Sequence, residues 1–558
     1  MAEPQTPQRD TTAQAAPSRR HVLAATAATA ATAAGGAAIT LSAAGTAGAA
    51  EGSVRPATGS PTTPIGPEDP RYLSLTQRGC NARFIGKPDY FRVVHSTAEV
   101  VDAVQQAVRQ DKRIAVRSGG HCFEDFVDHP DIKAVIDMSP MREISYDAER
   151  RAFCVEPGAQ LAEVYRELFI GWGVTIPAGA TAEVGIGGHV VGGGYGVMSR
   201  RDGVSVDHLH ALEVVVVDKD GTARAVIAER DPDSPHHDLW WAHTGAGGGN
   251  FGVVTRYWFR TPGARGDDPT KLLPKAPASF LAFRAGWTWK DLDARDFKTL
   301  MRNHGQWCER NSDPDSPYAS LFSVLMVNTT QAAGSGAVLA GVIDAAVPGA
   351  RRLADDYIAA VGRGVGAEPT IRRPPLSWLN ALTSITDTRS SPFKVKSAYL
   401  RKTYTDRQLD VLHEHLRPSD DPAKRISGTL WLVAYGGAAR KVAPDATAVA
   451  QRDSILKAVY MAGWDAETQD GARETEWVRS LYRGVYADSG GVPVPGAVSD
   501  GAFINYPDAD LDDPEQNTSG VPWYTLYYKD NYPRLQRVKA KYDPRDEFRH
   551  RLSIRPAR

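Results

Sequence analysis

Cysteine is scarce in this 558-residue chain: Cys80, Cys122, Cys154 and Cys308 stand far apart, and no two form a CxxC pair. That spacing removes the strongest argument for a structural zinc site and predicts no disulfide framework, so no metal is expected. Neither charge is in surplus. The 65 basic and 66 acidic residues contain no single-sign block, which sets nucleic acid and anionic membrane surfaces aside and leaves a small molecule as the expected partner. Beyond the N-terminal region no segment reaches the ~18 uninterrupted apolar residues of a membrane span. No glycine run ends in Gly-Lys-Ser or Gly-Lys-Thr, and GxSxG is absent, so a Walker-type phosphate loop and a nucleophile elbow are both missing.

What the chain does have begins at its N-terminus. Arg19 and Arg20 precede an alanine-rich, weakly hydrophobic run with a small-residue pattern around Ala47 to Ala50. This is the pattern of a twin-arginine secretory signal over residues 1–50, the route of proteins that fold, often around a cofactor, before export. Residues 51–75, rich in Pro, Thr and Gly, read as a linker. The expected mature protein is secreted, with no membrane segment.

Helix and strand signals then alternate. "STAEVVDAVQQAV" opens with Ser96 and Glu99 in capping-box spacing and repeats valine at helical intervals, while "RIAV" and "AVIDM" read as short buried strands. "HALEVVVVD" and "FGVVTRYWFRT" are β-branched and aromatic runs. From about 266 the composition becomes ordinary. "GTLWLVAYGG" reads as a strand and "ATAVAQRDSILKAVYMAG" as an amphipathic helix of a second domain, with a C-terminal segment packing back from about 476.

Three glycine-rich segments carry most of the information: "RSGGH", "VGIGGHVVGGGYG" and "GAGGGNFGVVT". A dinucleotide fingerprint fails, because Val190 stands where the third glycine after Gly185 and Gly187 belongs. Glycines so placed allow main chain to approach a large anionic ligand, and a dinucleotide pyrophosphate fits that description. His121, after the first pair, is open to three readings: metal ligand, part of a phosphate cradle, or covalent attachment point.

Those segments, with "GWGVTIPAG" and the tail "YYKDNYPRLQRVKAKYDPRDEFRH…LSIRP", resemble the berberine-bridge-enzyme-like flavoproteins of the vanillyl-alcohol oxidase superfamily, and within them secreted actinobacterial enzymes of the aclacinomycin oxidoreductase type. The resemblance implies an α+β fold. Its two-subdomain PCMH-type FAD-binding domain would occupy 76–265, an inserted α/β substrate domain with an antiparallel sheet covered by helices 266–475, and a returning C-terminal segment 476–558. It implies FAD held by Arg117, Ser118, Gly119, Gly120, Thr181, Val184, Gly185, Gly187, Gly188, His189, Gly192, Gly196, Gly252, Val253, Val254, Asn505 and Asn531, and linked covalently through His121. Many relatives add a second link from cysteine in G-x-C-P-x-V-G. Here "GATAEVG" places Thr181 at that position, so a single link is expected. Lys529 stands where relatives often have Gly.

Oxidising an alcohol requires a proton acceptor for the hydroxyl as hydride leaves carbon. The resemblance implies Tyr506 in "INYPD" as that base and Tyr435 in "VAYGG" as a second phenol able to share its proton. It also implies that Val184 leaves room for O₂. The expected activity is FAD-dependent oxidation of a hydroxyl-bearing carbon of a sugar or glycosylated natural product, releasing H₂O₂. Oxidative ring closure or dehydrogenation of an alkaloid or polyketide, and a flavin carrier without turnover, are the alternatives.

Overall fold

The computed structural model describes residues 63–330, 336–383 and 390–557. The expected secretory signal lies outside the described residues. Part of the expected linker does not: Ile65 bridges to Phe91 and is buried, and Tyr72–Thr76 is helical, so ordered packing begins before residue 75.

Three sheets follow. Strands β1 (Tyr90–Val93), β2 (Ile114–Arg117) and β3 (Ala134–Asp137) form a parallel sheet in the order β1-β3-β2. Parallel strands need crossover connections, and the helix Thr97–Arg109 carries the chain from β1 to β2, leaving the central place to β3. The Ser96 hydroxyl caps this helix by accepting from the Glu99 N–H at 3.3 Å, but the Glu99 carboxylate reaches His95 N–H, not that of Ser96. Its Val100, Ala103, Val104 and Ala107 are buried, each valine contributing about 1.5–3 kcal/mol by leaving water. The second sheet is antiparallel, ordered β4-β5-β8-β6-β7 from β4 (Ile144–Asp147), β5 (Ala152–Val155), β6 (Leu209–Val217), β7 (Ala223–Glu229) and β8 (Val253–Phe259).

The third sheet is the inserted domain. Strands β9 (Ser279–Trp287), β10 (Leu321–Asn328), β11 (Ala337–Asp344), β12 (Thr370–Arg372), β13 (Pro375–Ser377), β14 (Phe393–Leu400), β15 (Gly428–Ala434) and β16 (Leu456–Gly463) build an antiparallel sheet ordered β12-β9-β11-β10-β15-β16-β14, with β13 also on β9. The helices Ala294–Arg310, Ala350–Gly362, Asp406–Leu416 and Ala472–Val485 cover one face. The last of these packs on β14 and β16, so the inserted domain runs past residue 475.

One sequence expectation reverses here. Residues 446–463 were expected to form an amphipathic helix; instead residues 446–455 make no helix and 456–463 form β16, hydrogen-bonded between β14 and β15. Alternating residues of a central strand meet different layers. Lys457 therefore faces the same way as its cross-strand partners Tyr399 and Val433, toward the rest of the molecule, whereas Tyr460 joins Tyr404, Tyr482 and Tyr486 among the helices.

Candidate active site

A cleft runs between the first two sheets, with Tyr195, Phe503 and Tyr506 lining its inner end. Its first wall is the carboxyl end of β2, where Arg117, Ser118, Gly119, Gly120 and His121 line the space. The Arg117 guanidinium is already committed, donating to Asp137 at 2.8 and 3.0 Å and to the Leu75 carbonyl at 2.6 Å, so this residue shapes the loop. A Cβ on Gly119 would stand 2.3 Å from the Gly185 nitrogen. Two glycine loops thus meet back to back, an approach closed to any larger residue. Thr181, Val184, Gly185, Gly187, Gly188 and His189 line the cleft from the second loop, and Gly252, Val253 and Val254 from the start of β8.

Other expected residues sit elsewhere. Gly192 makes room for Asn505, whose Oδ1 would lie 1.8 Å from an added Cβ, and Gly196 packs on the Ala178 carbonyl; neither lines the cleft. Asn505 does line it and donates to the His189 carbonyl at 2.8 Å. Asn531 donates to the carbonyls of Pro444 and Thr447, away from the cleft.

His121 is the informative member. Burial alone holds its imidazole down at about 4, so it is neutral near pH 7, and its Nδ1 is buried without a hydrogen-bond partner among the described residues. A buried nitrogen left unpaired costs about 1–3 kcal/mol, and a ring nitrogen with a free lone pair beside a glycine-lined cleft suits attachment to a flavin. The orphaned nitrogen and the bare glycine walls fit FAD.

At the inner end the chemistry is phenolic. Tyr506, 4% exposed, stacks on Phe123 with ring centroids 5.4 Å apart, and its hydroxyl lies 3.1 Å from that of Tyr195. The Lys457 ammonium sits 3.3 Å from the Tyr195 ring centroid and 3.6 Å from that of Phe503, with Tyr399 and Tyr435 at 4.7 and 4.8 Å. Among the described residues Lys457 makes no ion pair, and burial, with the nearby Arg452, pushes its ammonium well below the usual lysine range. Burial pushes the Tyr506 phenol well up. The hydrogen-bonded pair is therefore Tyr195 and Tyr506. Tyr435 stands behind, edge-on to Tyr195 at 6.3 Å, its buried hydroxyl without a hydrogen-bond partner among the described residues and its carbonyl accepting from Arg200 at 2.6 Å.

Sequence reasoning passed over several residues. Tyr195 lies inside the quoted "GGGYG", and Lys457 falls on the segment read as a helix. His550 stacks on Phe126 at 3.9 Å, and Asn250 donates to the Ala246 and Gly247 carbonyls while accepting from Ile554 N–H. Both brace the third glycine loop, and only "NFGVVT" and the tail motif hinted at them.

Comparison with known proteins agrees with this geometry. Residues 88–226 match the FAD binding domain family and residues 502–555 the berberine and berberine-like family. The chain is 54% identical to aclacinomycin-N/aclacinomycin-A oxidase of Streptomyces galilaeus, over 88% of this chain and 89% of that protein. It is 31% identical to hexose oxidase of Chondrus crispus, over 87% and 93%. The structure of a glycopeptide hexose oxidase complexed with teicoplanin superposes with a TM-score of 0.86 at 52% identity, covering 90% of this chain and all of that one. Glycine-walled cleft, returning C-terminal segment and similarity over almost nine-tenths of the chain together place it in the berberine-bridge-enzyme-like family of FAD-dependent oxidoreductases.

Proposed function

We propose that this enzyme oxidises a hydroxyl-bearing carbon of a sugar or glycosylated natural product, with O₂ as electron acceptor and H₂O₂ as product. The observation that carries the reading is the Lys457–Tyr195–Tyr506 array at the inner end of the cleft. Two of the three relatives described above are named for oxidation of a hexose, which supports the substrate class.

A phenol with a pKa of about 10 is a poor base, and burial makes it poorer. Burial penalises one isolated charge far more than a compensated pair. Lys457 and the tyrosines are each driven toward neutrality alone, yet an ammonium over the Tyr195 face compensates a phenolate one hydrogen bond away. The protons of this array titrate together. In its working form the array holds Tyr506 as a phenolate, whose charge Tyr195 shares through the 3.1 Å contact and Lys457 balances; Tyr506 then takes the substrate hydroxyl proton and becomes neutral as hydride leaves the carbon. When bound, FAD supplies the hydride acceptor and the path of those electrons to O₂. Val184 lines the cleft with a small side chain that leaves O₂ room to enter.

His121 carries the flavin as its single covalent link. Thr181 lacks a thiol, and partial burial pushes the Cys122 thiol up to about 12, leaving almost no thiolate. The Arg19–Arg20 pair supports export by the twin-arginine route. One experiment tests these statements together: yellow protein is collected from the culture medium, precipitated with acid and digested. Colour on a peptide containing His121 is expected. Colour released by acid would remove the covalent link, and protein retained in the cells would remove the export route.

A further inference from the structure

Strand β14 is the edge of the inserted sheet. Lysines on an edge strand ordinarily stand in water and discourage pairing, but the side chains of Lys394 and Lys396 are 1% and 2% exposed. The Lys394 ammonium donates to Asp508 at 2.6 Å and to Glu124 at 3.2 Å, and Lys396 donates to the other Asp508 oxygen at 2.7 Å. Asp510, held by Arg479 at 2.8 and 3.0 Å, closes the cluster at 2.9 Å from Lys396. With Arg83 3.9 Å from Glu124, three carboxylates thus face four cations.

Lys394 also lies 3.3 Å from Asp510, but its two hydrogen-bonded carboxylates belong to different working segments. Glu124 lies three residues after His121 and Asp508 two after Tyr506. The same strand holds both segments again: Asn81 joins the carbonyls of Phe123 and Phe393, the Ser397 hydroxyl accepts from Phe503 N–H, and Phe123 packs between Phe393 and Tyr506. We infer that Lys394 is a positioning residue, setting the His121 loop and the Tyr506 segment in register against β14 so that flavin and phenol meet correctly. A charged two-sided clamp suits this role better than apolar packing, because the hydrogen bonds fix direction as well as distance. The inference rests on the oxidase reading above.

The test compares Lys394→Met and Lys394→Arg with the parent holoenzyme. Three readouts are taken: flavin per protein, visible circular dichroism of the bound flavin, and the rate constant of flavin bleaching per bound flavin after anaerobic mixing with saturating hexose. For Lys394→Met, at least a tenfold slower bleaching with less than a threefold change in half-saturation is expected, together with an altered flavin spectrum; Lys394→Arg should recover to within threefold. Lowered thermal stability with parent-like bleaching and spectrum would overturn the inference. Should Lys394→Met not fold, Asp508→Asn and Glu124→Gln divide the clamp. The first is expected to slow bleaching and the second to lower flavin content, and parent-like behaviour of both would overturn it. If no sugar bleaches the parent, the oxidase reading fails, while flavin content and circular dichroism of the variants still decide whether the clamp positions the flavin.

Discussion

Tyr506 and Lys457 divide the task of holding a transient charge in a dry site. Tyr506→Phe removes the proton acceptor but keeps the ring against Phe123, so flavin should remain bound while its reduction slows by about 10²–10⁴-fold, the usual weight of general-base catalysis. Lys457→Met removes the compensating cation, so the pH at which reduction reaches half its plateau should move up. The two are checked by anaerobic reduction across pH, and an unmoved profile in Lys457→Met would take that residue out of the chemistry. Tyr506 was legible in the sequence because a motif surrounds it. Lys457 and Tyr195 were not, because their roles arise only when β16 and the second glycine loop meet, and neither stretch announces that meeting.

Elements were legible where periodicity was strong and local. The helix Thr97–Arg109 and strands β6, β8 and β15 follow from cap, valine spacing and β-branched runs. β16 was not, since alanine, lysine and leucine favour a helix and only hydrogen bonding to β14 and β15 overrides them. The tail shows a different conflict. Lys529 ends the helix Trp523–Tyr528 with φ 47° and ψ −128°, a conformation that favours glycine. Its side chain offsets the strain by pairing with the fully buried Asp500 at 2.8 Å. Lys529→Ala should lose the pair and keep the strain; Lys529→Gly should lose the pair but also relieve the strain. The glycine variant is therefore expected to be the more stable by about 1–2 kcal/mol in chemical denaturation, and an alanine variant of equal or greater stability would contradict the account.

For the whole molecule, the glycine segments and the tail revealed the family, whereas the substrate domain's contribution to the site depended on tertiary packing. Packing also sets the response to acid. His243 and His304 are fully buried and His189 is half-buried against the cleft, and burial holds each at about 4. Their folded values lie below the ordinary ~6.5, so the stability they contribute is present above that value and is lost as pH falls toward 4; by linkage the loss at pH 5 is about 2 kcal/mol for each. Asp202 and Asp500, moved up by burial, act in the opposite sense but start from 3.8. The Tm should fall by several degrees between pH 7 and pH 5, and a flat profile there would contradict the burial of neutral imidazoles.

The most direct test of the oxidase reading is the absorbance of the purified yellow protein, mixed without oxygen with hexoses and hexose-bearing natural products and then opened to air. The account predicts that at least one such sugar bleaches the flavin and that air restores the colour with release of H₂O₂. Yellow protein that no sugar bleaches, or bleached protein that air does not restore, would contradict it.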